Sequence, residues 1–207
     1  DYSLSDGRSR SNGRHGHGVG PARSGGAELP RGAPTLWNLA FQQQFFWDGR
    51  AGSLEEQIET VLITKDEMAT SPETLVSTLN AIPEYRRLFL QAFGAERITI
   101  RQVMMAIVAF ESSLVSLNSR YDHYIHGAHE ALNEQETNGL HIFRSFASRC
   151  SQCHTPPLFT SGQVTATGVP AAEGLPFDKG AEVVSNEPSL RGAFKVPSLR
   201  NIASSAP

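Results

Sequence analysis

Cysteine and long apolar runs are what this 207-residue chain most conspicuously lacks. It contains only two cysteines, both between residues 150 and 153, so a disulfide-rich scaffold is excluded. No apolar stretch reaches the roughly 20 residues that a membrane-spanning helix needs. The net charge of −3 argues against the basic surface of a nucleic-acid-binding protein. With 39% hydrophobic residues, the chain can bury a core in one or two domains.

The two cysteines lie in the pattern C-x-x-C-H, formed by Cys150, Cys153 and His154. This pattern is typical of c-type haem attachment, in which both thiols bond covalently to the haem vinyl groups. The adjacent imidazole then binds the iron from one face. Because c-type haem is attached outside the bacterial cytoplasm, the motif also predicts a periplasmic protein.

Other uses of two close cysteines remain open on this pattern. A disulfide or a C-x-x-C redox pair would leave the following histidine unexplained. A structural zinc site requires four ligands, often as two pairs, and the sequence has no second cysteine pair. Three nearby histidines could complete such a site only by folding back onto the motif: His123, His126 and His129.

The rest of the chain is predicted to be helical almost throughout, so the expected fold class is all-α. Helix starts are indicated by Ser53 with Glu56, by Ser71 before Pro72, by Thr99, and by Asn133 with Glu136. These residue types are favoured there because their side chains bind the unpaired N–H groups of a first turn. Gly94 is expected to end the helix that precedes Thr99.

The helix that begins after Asn133 is expected to run into Cys150, with Phe143 and Phe146 facing inward. Two stretches, 1–34 and 156–198, are rich in glycine, proline and small polar residues. They are predicted to be long irregular loops, because ordering them by themselves would bury little surface for the entropy lost.

Six segments occur in an order that resembles the bacterial di-haem cytochrome c peroxidase superfamily, which also includes the MauG enzymes. These segments are RGAPTLWN (31–38), FFWDGRAGSLEEQ (45–57), DEM (66–68), SRYDHYIHG (119–127), CSQCH (150–154) and FKVPSLRNIASSAP (194–207). The resemblance covers nearly the whole chain. It is carried most specifically by FFWDGRAGSLEEQ and KVPSLRN.

The resemblance implies two c-type cytochrome-like helical domains, divided at a break near Gly127. Residues 1–127 would be the remainder of an N-terminal, peroxidatic haem domain. Residues 128–207 would be a truncated electron-transfer domain, with haem c on Cys150 and Cys153. The family carries an earlier C-x-x-C-H motif, which this sequence lacks. The chain is therefore expected to be a fragment of a protein with two haems, with a natural one-haem protein as the alternative.

The resemblance also assigns catalytic roles. Glu67 lies in DEM, twenty positions after Trp47, and matches the glutamate of the family's distal pocket, where a carboxylate can relay protons. Gln57 matches a distal-pocket glutamine that could hold water or peroxide. Trp47 matches a tryptophan between the two haems. The alternative for Glu67 is a solvated glutamate, for Gln57 a surface glutamine, and for Trp47 a core aromatic. A core aromatic is also the role expected of Trp37.

Haem contacts are implied for four further residues. Arg50 and Arg200 are expected to pair with haem propionates, with surface salt bridges as the alternative. His17, or with less support His15, resembles the loop histidine that binds the first iron at rest and leaves on activation. A solvated loop histidine is the alternative for both.

The family binds calcium between its haem domains through an asparagine side chain and two backbone carbonyls. Gly32 stands at the asparagine position, and Ser205 and Pro207 stand at the carbonyl positions. Losing one oxygen ligand is expected to weaken a calcium site here. A proline of the family's distal pocket is also replaced, by Val61.

The expected function is that of a di-haem peroxidase, which reduces hydrogen peroxide to water with electrons from a small donor such as a cytochrome c or a blue copper protein. One alternative is a MauG-like oxidase, which modifies side chains of a partner protein. Another is a non-enzymatic c-type electron carrier. The far-side ligand of the second haem would separate the first two, with methionine indicating a peroxidase and tyrosine the MauG type. A homodimer stays open as the assembly.

Overall fold

The computed structural model describes residues 20–21, 28–29, 31–171 and 176–204. This part of the chain is mostly helical, which confirms the all-α class. The helices are α1 (Leu54–Ile63), α2 (Pro72–Ala81), α3 (Pro83–Phe93), α4 (Ile100–Ser113), α5 (Arg120–Ile125), α6 (Glu134–Arg144), α7 (Cys150–Cys153) and α8 (Glu182–Ser185). Two small antiparallel sheets pair β1 (Gly20–Pro21) with β2 (Glu28–Leu29), and β3 (Val164–Ala166) with β4 (Ala193–Lys195).

Most of the predicted helix ends are confirmed. The Ser71 hydroxyl accepts the N–H of Thr74 at 3.1 Å at the start of α2. Thr99 and Asn133 each complete a reciprocal capping box at the starts of α4 and α6. Gly94 ends α3 with φ 68°, a left-handed conformation that glycine adopts without a steric penalty. These helices therefore begin and end where short-range hydrogen bonding directs them.

The capping box predicted at Ser53 forms only in part. The Ser53 hydroxyl accepts the N–H of Glu56 at 3.1 Å, as expected of an N-cap. The Glu56 carboxylate, however, accepts the N–H of Gly52 at 2.8 Å. It reaches one residue beyond the N-cap, where another backbone N–H lacks a helical partner.

The main apolar core surrounds α1 and the turn before it. Its buried members are Leu39, Phe45, Ala51, Leu54, Ile58 and Leu62. Helix α4 packs against this core through half-buried side chains that include Met104, Ile107 and Val108. The core therefore holds the segment 45–67, which contains the predicted catalytic residues, against the longest helix.

The prediction that α6 runs into Cys150 is wrong. Helix α6 ends at Arg144, and the Ser145 hydroxyl donates to the carbonyl of Ile142 at 2.7 Å, a local bond that competes with helix continuation. The chain then bends before α7. As a result Phe146 leaves the helical register and is 77% exposed instead of facing inward, whereas Phe143 is half-buried.

Strand β4 and the segment after it contact residues on the other side of the predicted boundary near Gly127. The N–H of Lys195 donates to the carbonyl of Trp47 at 2.7 Å. The guanidinium of Arg200 pairs with Asp122 of α5 at 2.6 Å. The two predicted units are thus joined by hydrogen bonds, and the boundary itself stays a prediction.

In the described ranges no helix is both long and apolar enough to cross a membrane.

Candidate haem site

The motif 150–154 forms one short helical turn and its C-cap. Cys150 and Cys153 begin and end α7, so their side chains lie one turn apart on one face. Neither thiol is in a disulfide; Cys150 is exposed and Cys153 is half-buried. The N–H of His154 donates to the carbonyl of Cys150 at 2.9 Å. Both thiols are therefore accessible to an attaching group next to an imidazole.

The imidazole of His154 is oriented by one backbone carbonyl. Its Nδ1 lies 3.2 Å from the carbonyl oxygen of Phe159. A carbonyl oxygen can only accept, so Nδ1 carries the proton and the lone pair is left on Nε2. A hydrogen bond of this kind fixes the tautomer and ring orientation of a metal-binding histidine.

The carbonyl that holds His154 belongs to a residue that is itself held from several sides. Phe159 has φ 54°, and its ring packs edge-on against Tyr121 with the centroids 4.8 Å apart. Its ring also contacts Phe143 at 5.8 Å. Its carbonyl accepts a second N–H, from Leu199, at 3.2 Å. The orientation of His154 thus depends on α5, α6 and the segment after β4 together.

Exposed apolar surface flanks the motif. Ile142 is 65% exposed and Phe146 is 77% exposed, and the guanidinium of Arg149 lies 4.6 Å from the Phe146 ring. Apolar side chains left uncovered near two free thiols suit a flat, largely apolar group. Accessible thiols, an imidazole with a free Nε2 and this surface together fit a c-type haem.

The described residues give no comparable support to a zinc site. Within residues 31–171 and 176–204, no group of three or more Cys, His, Asp or Glu side chains converges as a metal site would require. The three histidines that would have had to fold back onto the motif lie in or after α5: His123, His126 and His129.

The predicted catalytic residues lie on the segment around α1. A bridge between Phe45 and Ala51 closes the turn that presents Trp47. The indole N–H of Trp47 donates to the carbonyl of Gly32 at 2.7 Å. Gln57 is half-buried on α1 itself. The orientation of the Trp47 ring is therefore restricted by a hydrogen bond to the backbone of Gly32.

Glu67 lies in the turn that follows α1. Its N–H donates to the carbonyl of Thr64 at 3.0 Å, and the side chain is half-buried. Its Oε2 is buried and has no hydrogen-bond partner in the described part of the chain. Burial raises the pKa of Glu67, and the nearby charge of Arg50 acts in the opposite direction. A carboxyl in this environment holds its proton at higher pH than a solvated one.

Both arginines expected at haem propionates have protein partners. One nitrogen of Arg50 contacts both oxygens of Asp48, at 2.9 and 3.0 Å, and its guanidinium lies 3.5 Å from the Phe46 ring centroid. Arg200 and Asp122 are only 5% and 7% exposed, and two nitrogens of the arginine bind the two carboxylate oxygens. Arg200 is thus not a surface salt bridge, and its contact with a haem propionate stays a prediction. It joins α5 to the C-terminal segment.

Three further sequence predictions lie outside the described residues. They concern His17, the alternative His15, and the carbonyls of Ser205 and Pro207. Gly32 is described, but it brings no side-chain oxygen to a calcium site, and its carbonyl accepts the Trp47 indole.

Two charged groups near Trp47 were not anticipated from the sequence. Arg31 binds Asp48 at 2.6 Å and Asp178 at 2.7 Å, which connects two segments far apart in the chain. Its pKa is raised, chiefly by the hydrogen bond to Asp178. Lys195 is buried with only 8% of its surface exposed. The sequence shows the motifs WDGR and KVPSLRN in this region. No local pattern, however, indicates the ion pairs of Arg31 or the burial of Lys195.

The chain is similar to di-haem cytochrome c peroxidases and to MauG proteins. Residues 2–130 match the family model described as di-haem cytochrome c peroxidase. The cytochrome c551 peroxidase of Nitrosomonas europaea is 36% identical over 84% of this chain and 52% of its own length. The methylamine utilization protein MauG of Methylophilus methylotrophus is 33% identical over 90% of this chain and 55% of its own.

Among solved structures, a MauG-like protein associated with microbial copper homeostasis superposes with a TM-score of 0.78 and 30% identity. That match covers 89% of this chain and 59% of the solved one. The chain spans about half the length of the curated relatives it matches. Haem c is the cofactor that this family implies. The matched segment and the identity to these relatives show that the chain belongs to the di-haem cytochrome c peroxidase family.

Proposed function

We propose that the chain is part of a di-haem cytochrome c peroxidase that reduces hydrogen peroxide to water. Its electrons would come from a small redox protein, a cytochrome c or a blue copper protein, and the reaction would take place in the periplasm. Family membership supports the reaction class. The observation that carries the proposal is Glu67, a half-buried carboxyl whose inner oxygen has no partner in the described residues.

When bound, haem supplies an iron position at which the O–O bond of peroxide can be broken. The chain must supply the proton movement that this cleavage needs, because the departing oxygen develops negative charge. Glu67 suits that task, since burial raises its pKa and so favours the protonated carboxyl. Arg50, whose charge lowers that pKa, keeps the carboxyl able to give the proton up again.

The neighbouring side chains have supporting roles in this proposal. Gln57, half-buried on the same segment, would orient peroxide or water through its amide. Trp47 would lie on the electron path, and its hydrogen bond to Gly32 restricts the ring to one orientation. Cys150 and Cys153 would attach the electron-transfer haem, with His154 as its near-side ligand through Nε2.

A MauG-like oxidase is the second candidate. It is favoured by the superposition on a MauG-like protein over 89% of this chain and by the identity to the Methylophilus methylotrophus protein. Such an enzyme would use the same residues to oxidise side chains of a partner protein. Peroxide turnover with a reduced small donor protein distinguishes the two, because only the peroxidase needs that donor as its substrate.

The test is Glu67→Gln in the full-length di-haem protein, because the haem that Glu67 would serve is the one attached outside this chain. Glutamine keeps the size and hydrogen bonding of glutamate but cannot relay a proton. Positioned acid–base groups contribute about 10²- to 10⁴-fold in rate, so peroxide turnover measured by stopped-flow mixing is expected to fall by that factor. Covalent haem content and the helical circular dichroism signal should not change.

Glu59→Gln is the matched control, because Glu59 lies exposed on α1 and loses the same charge. Its turnover is expected to equal that of the parent protein. A Glu67→Gln protein that reacts with peroxide as fast as this control would remove Glu67 from the mechanism. The peroxidase proposal would then lose its main support.

A further inference from the structure

Lys195 carries a buried ammonium group that forms no ion pair with any carboxylate in the described residues. It lies in β4 and is 8% exposed. The partner of its Nζ in the described part of the chain is the side-chain oxygen of Gln42, which is neutral. An ammonium has three N–H donors, so a single amide oxygen leaves this group with unused hydrogen-bonding capacity.

The carboxylates near this region are already engaged. Asp48 binds Arg31 at 2.6 Å and Arg50 at 2.9 Å. Asp178 binds Arg31 at 2.7 Å. Among the residues that the structure describes, no carboxylate forms an ion pair with Lys195. Burying a charge without a counter-charge is costly, so an ammonium in this position is suited to receiving an anion.

Burial lowers the pKa of the Lys195 amine to about 8. The group is nevertheless mostly protonated at pH 7, because the pH lies below that value. The uncompensated charge therefore persists under ordinary conditions.

Lys195 and His154 are anchored to the same loop. Lys195 pairs with Val164 in the β3–β4 sheet. The next residue, Val196, donates its N–H to the carbonyl of Gln163 at 2.8 Å and accepts the hydroxyl of Thr160 at 2.5 Å. The loop 159–164 thus runs beside the strand that holds Lys195.

The same loop begins at Phe159, whose carbonyl orients His154. The imidazole that would bind iron and the ammonium without a counter-charge are consequently parts of one hydrogen-bonded unit. An anion carried by the group that His154 binds is therefore a candidate for the missing counter-charge.

We propose that Lys195 binds a carboxylate of the haem attached at Cys150 and Cys153, namely one of its propionates. The proposal rests on haem attachment at this motif. A haem brings two carboxylates, and an ammonium–carboxylate contact is a strong, charge-assisted hydrogen bond. Arg50 and Arg200, the other cations considered for this role, have carboxylates of the protein as partners.

The test compares Lys195→Met with the parent protein by resonance Raman spectroscopy of the haem-loaded protein. Methionine keeps the length and bulk of the side chain and removes its charge and donors. The propionate bending bands are expected to shift in Lys195→Met, because these bands respond to hydrogen bonding at the carboxylates. The midpoint potential of the haem is expected to fall, because a lost positive charge favours the more positively charged ferric state.

Two further variants separate this role from a structural one. Lys195→Arg keeps a cation and should retain parent-like propionate bands. Lys179→Met removes the same charge from an exposed position and should leave both bands and potential unchanged. If Lys195→Met does not fold, Lys195→Gln provides the neutral variant.

If haem is attached but its propionate bands do not shift in Lys195→Met, the Lys195 proposal is wrong and the haem assignment is unaffected. A parent protein whose mass shows no haem on Cys150 and Cys153 would overturn the haem assignment, and this proposal with it. Mass and Raman spectra together therefore distinguish the two failures.

Discussion

Removing one partner of the buried ion pair between Asp122 and Arg200 is expected to destabilise the fold strongly, and Asp122→Asn tests this. The two side chains are 7% and 5% exposed and lie 2.6 Å apart at their closest nitrogen and oxygen. Asparagine keeps the shape of aspartate, so the change leaves the Arg200 charge buried without its counter-charge. Breaking a buried pair in this way costs about 3–5 kcal/mol.

That cost predicts a large shift in thermal unfolding. For a chain of this size, 1 kcal/mol corresponds to roughly 2–4 °C in Tm, so Asp122→Asn is expected to lower Tm by roughly 6–20 °C. Chemical denaturation of the haem-loaded protein would measure the free energy of unfolding directly. The control is Glu84→Gln, which breaks the exposed pair between Glu84 and Arg87 and should lower stability far less, because solvent screens an exposed pair.

The stability lost in Asp122→Asn should also depend on pH, and the direction of that dependence follows from the pKa of Asp122. The hydrogen bond from Arg200, helped by Ser119, holds the pKa of Asp122 well below its usual range against the opposing effect of burial. The unfolded chain, with an ordinary Asp pKa of about 3.9, then binds more protons than the folded one below that pH. The advantage of the parent over Asp122→Asn should be complete above about pH 5 and shrink as pH falls below about 4.

Either of two results would refute this account of the pair. One is a loss in Asp122→Asn no larger than that in Glu84→Gln. The other is a stability difference between parent and variant that stays constant down to pH 3.

Two further predictions concern backbone packing and electron transfer. A Cβ at Gly180, where φ is 58°, would lie 2.2 Å from the carbonyl oxygen of Ala193, so Gly180→Ala should lower the denaturation midpoint far more than Gly168→Ala. At Gly168 a Cβ meets open space, and only the cost of its left-handed φ, about 1–2 kcal/mol, is expected. Trp47→Phe should slow electron transfer between haems in flash photolysis of the di-haem protein, whereas Trp37→Phe should not; equal rates in both would reject the relay role.

Local features of the fold were predictable because they depend on residues close in sequence. Ser71, Thr99 and Asn133 cap their helices as predicted, since each side chain binds a backbone N–H only a few residues away. The C-x-x-C-H motif is equally local: one helical turn places both thiols on one face, with His154 at its end. The end of α6 was missed because Ser145 competes for a nearby carbonyl, a choice that the apolar pattern does not encode.

The long-range partners were decided only by the tertiary structure. Asp122 and Arg200 are 78 positions apart, and the sequence offers only a haem propionate or a surface salt bridge as the partner of the arginine. The burial of Lys195 depends on its strand pairing with β3 and on its contact with the turn at Trp47. The sequence alone determined most helix starts and the C-x-x-C-H motif, because those follow from neighbouring residues. Which charges form ion pairs depends on how distant segments meet, so only the folded chain decides it.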